Sequence, residues 1–402
     1  MDGQTIRYTE FVMGFFVPAS SIENLKLYKY QSEDRSIITK LFLKPFWTWF
    51  VQVFPKWMAP NLITLSGLGF ILLNLMITLY YDPQLDQDMP RWVYFANAVG
   101  LFLYQTFDGC DGVHARRTGQ SSPLGELFDH SIDAINTTLS AFIFCSTLGT
   151  GYGYKMVYSQ FAVLSNFYMS TWEEYHTHTL FLSEISGPVE GILAICLSYI
   201  ATAIFGPQLV WHTKIASFSI QGQEYTFETS DSIMLLFTAG LIMNCYSARR
   251  NVVQYYQKDK VLINVNTKIR SAVKGILPYV LYMATVAMVV LVNKEFICFP
   301  FILSIGSTVA FVVGRIIVNH LTKQHYPMYN ISMFIPICQL AVYMCVVKLS
   351  PTYPVPELIS ALAWMGCGIS TGIHALFMNE IIYEFTNYLD VYALTIKHPK
   401  FV

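Results

Sequence analysis

Residues 108–133 read DGCDGVHARRTGQSSPLGELFDHSID and contain four aspartates in two pairs. Asp108 and Asp111 are three positions apart. Asp129 and Asp133 are four positions apart, so each pair would share one face of a helix. Two facing pairs would form a pocket lined only by oxygen atoms, which suits hard cations such as Mg²⁺ or Mn²⁺. Because carboxylates this close repel one another, the pattern predicts a cation between them.

The composition outside this stretch is that of a membrane protein. Of the 402 residues, 54% are hydrophobic and 13% are charged, whereas soluble domains carry about 25% charged residues. Segments apolar and long enough to cross a bilayer, which takes about 20 residues, lie at 60–81, 91–107, 123–148, 153–172, 187–206, 231–248, 271–292, 297–318, 327–348 and 357–386. The sequence therefore predicts an all-α integral membrane protein with about ten transmembrane helices.

A further apolar segment precedes the first predicted span, at residues 36–57, SIITKLFLKPFWTWFVQVFPKW. Pro45 disfavours a continuous spanning helix, and Lys40, Lys44 and Lys56 give the segment a polar side. The pattern predicts an amphipathic helix that lies in the membrane interface. An eleventh span is the alternative.

Basic residues divide unevenly between the two ends of the predicted spans. If the N-terminus is cytosolic, five of the 25 lysines and arginines fall on the lumenal side, namely Arg91, Lys155, Lys214, Lys294 and Lys348. The other 20 (25 minus five) lie on or near the cytosolic side, where positive charge accumulates in membrane proteins. We therefore expect the acidic stretch to open to the cytosol.

The acidic stretch follows the pattern Asp-x2-Asp-Gly-x2-Ala-Arg-x8-Gly-x3-Asp-x3-Asp. This pattern resembles the signature of the CDP-alcohol phosphotransferases, membrane enzymes that make phospholipids from a CDP-activated alcohol. Three further segments resemble the eukaryotic choline- and ethanolaminephosphotransferases: LKLYKYQSEDRS (25–36), PNLITLSG (60–67) and WEEYHT (172–177). The resemblance covers most of the chain.

The resemblance implies a metal centre in the acidic stretch. Asp108, Asp111 and Asp129 are expected as metal ligands, and Asp133 is expected to complete the shell of a second ion. The implied cofactor is a pair of Mg²⁺ ions, for which Mn²⁺ can substitute. Two such ions would neutralise the pyrophosphate of the substrate and stabilise the leaving phosphate.

Five residues are candidates for binding the nucleotide. Gly112 and Gly125 have no side chain, so the nucleotide and the two helices could approach closely, and Ala115 would serve the same end. Arg116 offers planar, bidentate donors to phosphate. Asn61 would reach the nucleotide phosphates or a metal-bound water, or alternatively cap the first span.

The attacking hydroxyl has a high pKa, so a general base should assist it. His130 is one candidate because an imidazole is largely neutral near pH 7, and it has Glu126 four residues before it on its own helical face. The resemblance places a glutamate of a later span beside this histidine, which here is Glu190 in SGPVEGIL. Asp133 is the competing candidate for the base.

The segment STWEEYHTHTL, residues 170–180, has two interpretations. Trp172 and Tyr175 could hold a quaternary ammonium head group against their aromatic faces. The alternative is that they are members of the aromatic belt that membrane proteins commonly carry at the interface.

The resemblance implies an enzyme of the endoplasmic reticulum or Golgi membrane with a cytosolic active site. It would transfer phosphocholine, phosphoethanolamine or both from CDP-choline or CDP-ethanolamine to diacylglycerol, giving the phospholipid and CMP. One alternative is a phospholipid synthase that uses CDP-diacylglycerol, although those relatives have fewer spans. Another is a cation transporter, which would need acidic residues on several helices near the bilayer midplane.

The expected organisation has three parts. Residues 1–58 form a cytosolic arm with the interfacial helix, and residues 59–252 form the catalytic helices. Residues 253–402 form the last four spans, which we expect to build a homodimer and the cavity for the lipid acceptor. No nucleic-acid partner is expected.

Overall fold

The computed structural model describes residues 14–28, 31–34, 36–182, 187–220, 223–258, 264–350 and 352–399. Its helices, in chain order, are α1 (Ala19–Ile22), α2 (Lys44–Phe50), α3 (Pro60–Tyr81), α4 (Arg91–Thr118), α5 (Pro123–Thr147), α6 (Tyr154–Thr177), α7 (Pro188–Phe205), α8 (Pro207–Trp211), α9 (Thr229–Lys258), α10 (Val265–Lys274), α11 (Leu277–Val292), α12 (Phe299–Leu321), α13 (Ile335–Leu349) and α14 (Val355–Leu389).

The remaining regular elements are short. Turns of 3₁₀ helix lie at Glu23–Leu27, Val51–Val53, Lys294–Phe296 and Ile331–Phe334, and one π turn lies at Thr39–Leu43. The strands β1 (Ser32–Asp34) and β2 (Leu180–Leu182) pair in parallel, and β3 (Lys214–Ile220) and β4 (Gln223–Glu228) pair antiparallel. The protein is therefore an all-α membrane protein with two small two-stranded sheets among the described residues.

Every segment predicted to span the membrane coincides with a long helix or with two consecutive ones. In the described part of the chain, seven of these are long and apolar enough to cross a bilayer: α3, α7, α9, α10 with α11, α12, α13 with the turn before it, and α14. The helices α4, α5 and α6 have 28, 25 and 24 residues. Their length suffices, but α4 and α5 carry the acidic stretch and α6 carries Glu173 and Glu174, and these charged residues lower the hydropathy of the three helices. The count of ten spans is thus not confirmed.

The helix α12 is the centre of the helical core. Of its most apolar stretch 83% is buried, more than in any other apolar helix of the described chain, and it packs against α5, α6 and α14. Gly306 of α12 lies directly against Thr138 of α5, so a Cβ at position 306 would overlap the threonine side chain. This contact fixes the distance between α5, which carries half of the acidic stretch, and the core.

The segment before the first span is helical, and its amphipathic character stays a prediction. Its helical turns cover residues 39–53, which is shorter than the about 20 residues of a spanning helix. One side packs against α4, where the indole of Trp47 fills the space that a Cβ at Gly109 would take. The opposite side exposes Leu41, Phe42 and Trp49. An interfacial helix fits these features better than an eleventh span does.

Arg117 joins this segment to the end of α4. Its Nη1 atom donates hydrogen bonds to the carbonyl oxygens of Val51 and Phe54, at 2.8 and 3.1 Å. Arg117 therefore caps the last turn of the interfacial segment and holds it against the helix that carries Asp108.

The structure leaves the predicted three-part organisation open. Residues 252 and 253, the predicted boundary, lie inside α9. The helices that follow share one hydrophobic core with α5 and α6. The division into a catalytic and a C-terminal part stays a prediction.

We expect Gly306→Ala to lower the melting temperature of the detergent-solubilised protein, because the new methyl group overlaps a stiff, β-branched side chain. Overpacking of this kind typically costs about 1–3 kcal/mol. Gly368→Ala in α14 is the matched control, since a Cβ there has no neighbour within 4 Å. Equal melting temperatures for the two variants would contradict a tight contact between α5 and α12.

Candidate active site

A tight link between α4 and α5 brings the two halves of the acidic stretch together. Gly119 ends α4 in the left-handed region, with φ of +67°, where glycine is favoured. The amide of Gln120 closes the helix end by donating to the carbonyl of Ala115 at 2.8 Å. Ser122 then caps α5, its Oγ accepting from the Gly125 amide at 3.3 Å. The last turns of α4 and the first turns of α5 consequently lie side by side.

Three of the four aspartates form a cluster. Asp108, Asp129 and Asp133 each offer one carboxylate oxygen, and these three atoms lie within 4.8 Å of one another. The Oδ1 atoms of Asp108 and Asp129 are buried and receive no hydrogen bond from the described chain. Buried anionic oxygens without a partner are costly, so the cluster fits a cation. The donor set consists only of oxygen, which fits a divalent ion such as Mg²⁺.

Asp111 stands beside this cluster and outside it. Its Oδ2 atom accepts a hydrogen bond from the hydroxyl of Thr64 in α3. The prediction that Asp111 is a metal ligand is therefore untested by the geometry, whereas Asp108, Asp129 and Asp133 are brought together as expected.

Two residues of α4 orient the clustered carboxylates. The hydroxyl of Tyr104 donates to Oδ1 of Asp133, and the side-chain amide of Gln105 donates to Oδ2 of Asp108 at 3.4 Å. Sequence reasoning missed both residues. Their positions, one turn before the motif on the same helix, carry no signal that separates them from ordinary core residues.

His130 is buried between α5 and α6. Its Nδ1 atom lies 3.0 Å from the carbonyl oxygen of Glu126, and because a carbonyl only accepts, Nδ1 carries a proton. Its Nε2 atom lies 3.5 Å from Oε2 of Glu174, within ion-pair distance. The carboxylate that faces His130 thus comes from α6, which the sequence did not indicate.

The two glutamates that the sequence placed near His130 have other partners. Oε2 of Glu126 accepts from the hydroxyl of Tyr28. Oε1 of Glu190, in the first turn of α7, accepts from the hydroxyl of Ser36, while its Oε2 is buried and unpaired among the described residues. The expected pairing of His130 with Glu190 is not the one in the structure, and a catalytic role of Glu190 stays a prediction.

The nucleotide candidates lie on α3, α4 and α5. Asn61 does not cap α3; its Nδ2 atom donates to the carbonyl of Ala393 at 3.0 Å. A Cβ at Gly112 or Gly125 would meet only side-chain atoms at 3.5 Å or more. The packing of α4 against α5 would therefore tolerate a side chain at either glycine. That the nucleotide approaches these two positions stays a prediction. Arg116 is exposed beside Gly112.

The segment after α14 returns to the site, which the sequence analysis did not foresee. Thr395 forms an antiparallel bridge with Met58, and the carbonyl of His398 accepts from the side-chain amide of Gln120 at 3.1 Å. Hydrogen bonds from Lys397 and His398 lower the pKa of Asp390 below its usual value. The segment after α14 thus contacts the residues before α3 and the link between α4 and α5.

The head-group clamp suggested by residues 170–180 does not form in this structure. Trp172 is fully buried, and its Nε1 atom donates to the carbonyl of Ala272 at 2.9 Å. The hydroxyl of Tyr175 donates to the carbonyl of Gln324 at 2.7 Å. Both side chains therefore join α6 to the C-terminal helices, and neither presents a face to the site.

Comparison with known proteins agrees with this geometry. The family model described as CDP-alcohol phosphatidyltransferase matches residues 57–219. The chain is 57% identical to Choline/ethanolaminephosphotransferase 1 of Saccharomyces cerevisiae over 390 residues, which is 96% of this chain and all of the relative. It is 54% identical to Cholinephosphotransferase 1 of the same yeast, again over 96% of this chain and all of the relative.

The similarity extends to plants. Choline/ethanolaminephosphotransferase 1 of Arabidopsis thaliana is 34% identical over 392 residues, covering 95% of this chain and 98% of the relative. Matches that span both chains nearly end to end include the N-terminal arm and the helices after α8, which lie outside residues 57–219. The chain belongs to the CDP-alcohol phosphatidyltransferase family.

Proposed function

We propose that this protein transfers phosphocholine, phosphoethanolamine or both from the CDP-alcohol to diacylglycerol, producing the phospholipid and CMP. The observation that carries the proposal is the half-buried cluster of Asp108, Asp129 and Asp133 at the junction of α4 and α5. Near-full-length similarity to two yeast enzymes named for choline and ethanolamine phosphotransfer supports the choice of substrate.

The aspartate cluster would hold the metal ions, and the family uses divalent metal. We assign two Mg²⁺ ions to it, with Mn²⁺ as a substitute. When bound, the ions would neutralise the negative charge of the pyrophosphate and of the leaving phosphate. The residues of the chain do the positioning: Tyr104 and Thr64 hold Asp133 and Asp111 by hydrogen bonds, and Arg116 offers its guanidinium to a phosphate.

We assign the general base to His130 in preference to Asp133. The Glu126 carbonyl holds the proton on Nδ1, which leaves the lone pair of the neutral ring on Nε2 to accept the proton of the diacylglycerol hydroxyl. Asp133 belongs to the metal cluster and accepts from Tyr104. A carboxylate committed to a cation and a hydrogen-bond donor is a weaker base.

An apolar cavity among the later helices supports a lipid acceptor. It has a volume of about 580 Å³ and lies between α6, α9, α11 and α12, where its walls include Met169, Leu241, Met283, Val286, Val290 and Ile305. A cavity lined by such side chains suits a hydrocarbon chain. Because α11 and α12 form one wall, the cavity supports the predicted acceptor role of residues 253–402.

The two alternative functions fit less well. Synthases that use CDP-diacylglycerol would share the aspartate cluster, but the full-length relatives are named for choline and ethanolamine phosphotransfer. A cation transporter would distribute acidic residues along a pathway through the membrane. Here the clustered carboxylates lie at one helix junction.

We place the site on the cytosolic face of the endoplasmic reticulum or Golgi membrane, because 20 of the 25 lysines and arginines fall on that side. A homodimer through α11–α14 completes the proposal. These helices expose large apolar side chains on their outer faces, such as Leu291, Met344 and Trp364, which suit lipid or a second copy.

The metal assignment predicts that Asp129→Asn reduces transfer to below a tenth of the wild-type rate, because a lost ligand costs several kcal/mol of transition-state stabilisation. Asp86→Asn, an exposed acidic residue in the loop between α3 and α4, is the matched control and should retain full activity. EDTA should abolish transfer, and Mg²⁺ or Mn²⁺ should restore it. Ca²⁺, which is larger and more loosely coordinated, should substitute poorly. Retained activity in Asp129→Asn would refute metal ligation there.

The base assignment predicts that His130→Ala lowers turnover by about 10²–10⁴-fold, the usual contribution of general-base catalysis. The KM for CDP-choline and the Mg²⁺ dependence should stay nearly unchanged, since neither depends on the imidazole. Measurement of turnover together with the melting temperature separates a catalytic loss from a structural one. A folded variant with near-normal turnover would move the role to Asp133.

The topology predicts that a cysteine at Ser121, exposed in the link between α4 and α5, reacts with an impermeant maleimide in sealed microsomes whose cytosolic face is outside. A cysteine at Ser219 is the control, since this exposed position lies on the hairpin that follows α7 and α8 at the opposite end. Both changes are made in a cysteine-free background. Ser219→Cys should react only after permeabilisation, and the reverse pattern would overturn the orientation.

A further inference from the structure

The residues that follow α14, 390–398, form a closed loop, here called the C-terminal strap. Asp390 ends α14 in the left-handed region, with φ of +54°, where a helix stops. Its carboxylate accepts hydrogen bonds from Nζ of Lys397 and, at 2.8 Å, from Nε2 of His398. These bonds hold the two ends of the strap together, and within it Nζ of Lys397 lies 5.2 Å from the ring centre of Tyr392.

The strap is anchored on both sides of the start of α3 and the link between α4 and α5. Thr395 forms an antiparallel bridge with Met58, directly before α3. The carbonyl of His398 accepts from the side-chain amide of Gln120, in the link, at 3.1 Å. The strap therefore connects the start of α3 to the residues that precede α5.

Between these two anchors, the strap holds the side-chain amide of Asn61. Nδ2 of Asn61 donates to the carbonyl of Ala393 at 3.0 Å. Asn61 is buried, and its Oδ1 atom lies 3.8 Å from the place that a Cβ at Gly125 would occupy. Because one end of an amide donates and the other accepts, the bond to Ala393 turns the accepting oxygen towards the first turn of α5.

We propose that the C-terminal strap is a positioning element for Asn61, which it holds so that Oδ1 accepts a hydrogen bond from the nucleotide of the CDP-alcohol. The groups of the nucleotide that can donate this bond are the ribose hydroxyls and the amino group of cytosine. The proposal rests on the proposed function, in which a CDP-alcohol is the substrate. A side chain that is held before the ligand arrives loses little freedom on binding, so the strap acts on the affinity for the nucleotide.

The test compares the full chain with strap variants in lipid nanodiscs that contain diacylglycerol and Mg²⁺. Transfer from CDP-choline gives kcat and KM, and the rise of the melting temperature with added CMP gives a Kd. A chain that ends at Leu389 lacks the strap and should show a KM and a Kd raised about tenfold, the upper value of one hydrogen bond. Its kcat should stay within about twofold, because a contact made equally in the bound and the transition state changes KM alone.

A point variant removes one anchor and leaves the rest of the strap in place. Gln120→Ala loses the bond to His398 and should raise both constants by about 2–10-fold. Gln208→Ala is the matched control, since Gln208 donates a comparable bond to Asp88 at 3.2 Å between α8 and the loop after α3. A chain that ends at Pro399 keeps the strap and is the control for the shortened chain. Both controls should keep the wild-type constants.

Double variants show whether the strap acts through Asn61. Asn61→Ala alone should raise both constants, and removal of the strap in that background should raise them no further, because no amide remains to be oriented. In the chain that ends at Leu389, Gln120→Ala should likewise have no effect, since its partner is gone. Additive losses in either pair would overturn the role, as would a strapless chain with a lowered kcat and an unchanged KM.

The same measurements separate the proposal from its foundation. If the full chain transfers phosphocholine or phosphoethanolamine but the strap variants keep the wild-type KM and Kd, the positioning role is overturned and the proposed function stands. If the full chain transfers neither group from its CDP-alcohol, the proposed function fails and the inference fails with it. Gln120→Ala decides the matter if the chain that ends at Leu389 does not fold.

Discussion

Carboxylates that lie close together away from water repel one another and lose part of their hydration. The helices that carry residues 108–133 nevertheless hold three carboxylates close together. Asp108, Asp129 and Asp133 converge with two unpaired buried oxygens, an arrangement that a divalent cation would stabilise. Because the cluster lies at the junction of two helices, any change in the packing of α4 on α5 changes the distances between the charges. The contacts of Gly306 with Thr138 and of Gly109 with Trp47 limit such changes.

The remaining acidic groups are kept apart from this cluster by separate hydrogen-bond donors. Tyr28 and Ser36 of the N-terminal arm donate to Glu126 and Glu190, and His130 faces Glu174. The arm is itself fixed by the pairing of β1 with β2, the strand that follows α6. The arm therefore contributes hydrogen-bond donors to Glu126 of α5 and Glu190 of α7.

Local spacing predicted three members of the aspartate cluster, because helical periodicity places residues three and four apart on one face, but it also placed Asp111 there, which lies outside the cluster. Hydropathy was enough to locate the long helices. The partner of His130 could not be found in this way: Glu174 lies on another helix, and Glu190 and Glu174 look alike in a sequence, as acids at the end of an apolar segment. The contacts of Asn61 with Ala393 and of Gln120 with His398 join positions more than 200 residues apart, and no periodicity in the chain connects them. The number of spans could not be predicted reliably, because the polar residues of the site lower the hydropathy of the helices on which they lie.

A polar site inside a membrane protein needs apolar helices around it, and this requirement explains the helices beyond the region that the family model matches. That region ends at residue 219, before α9, yet α12 packs against α5 and α6 and is the most deeply enclosed apolar helix of the described chain. It also forms a wall of the apolar cavity, together with α6, α9 and α11. The same helix thus packs against α5, which carries Asp129 and Asp133, and lines a space in which a hydrocarbon chain can lie. In the proposed reaction the acceptor is a lipid, so a polar site and an apolar cavity have to be built on neighbouring helices, and α6 and α12 connect the two.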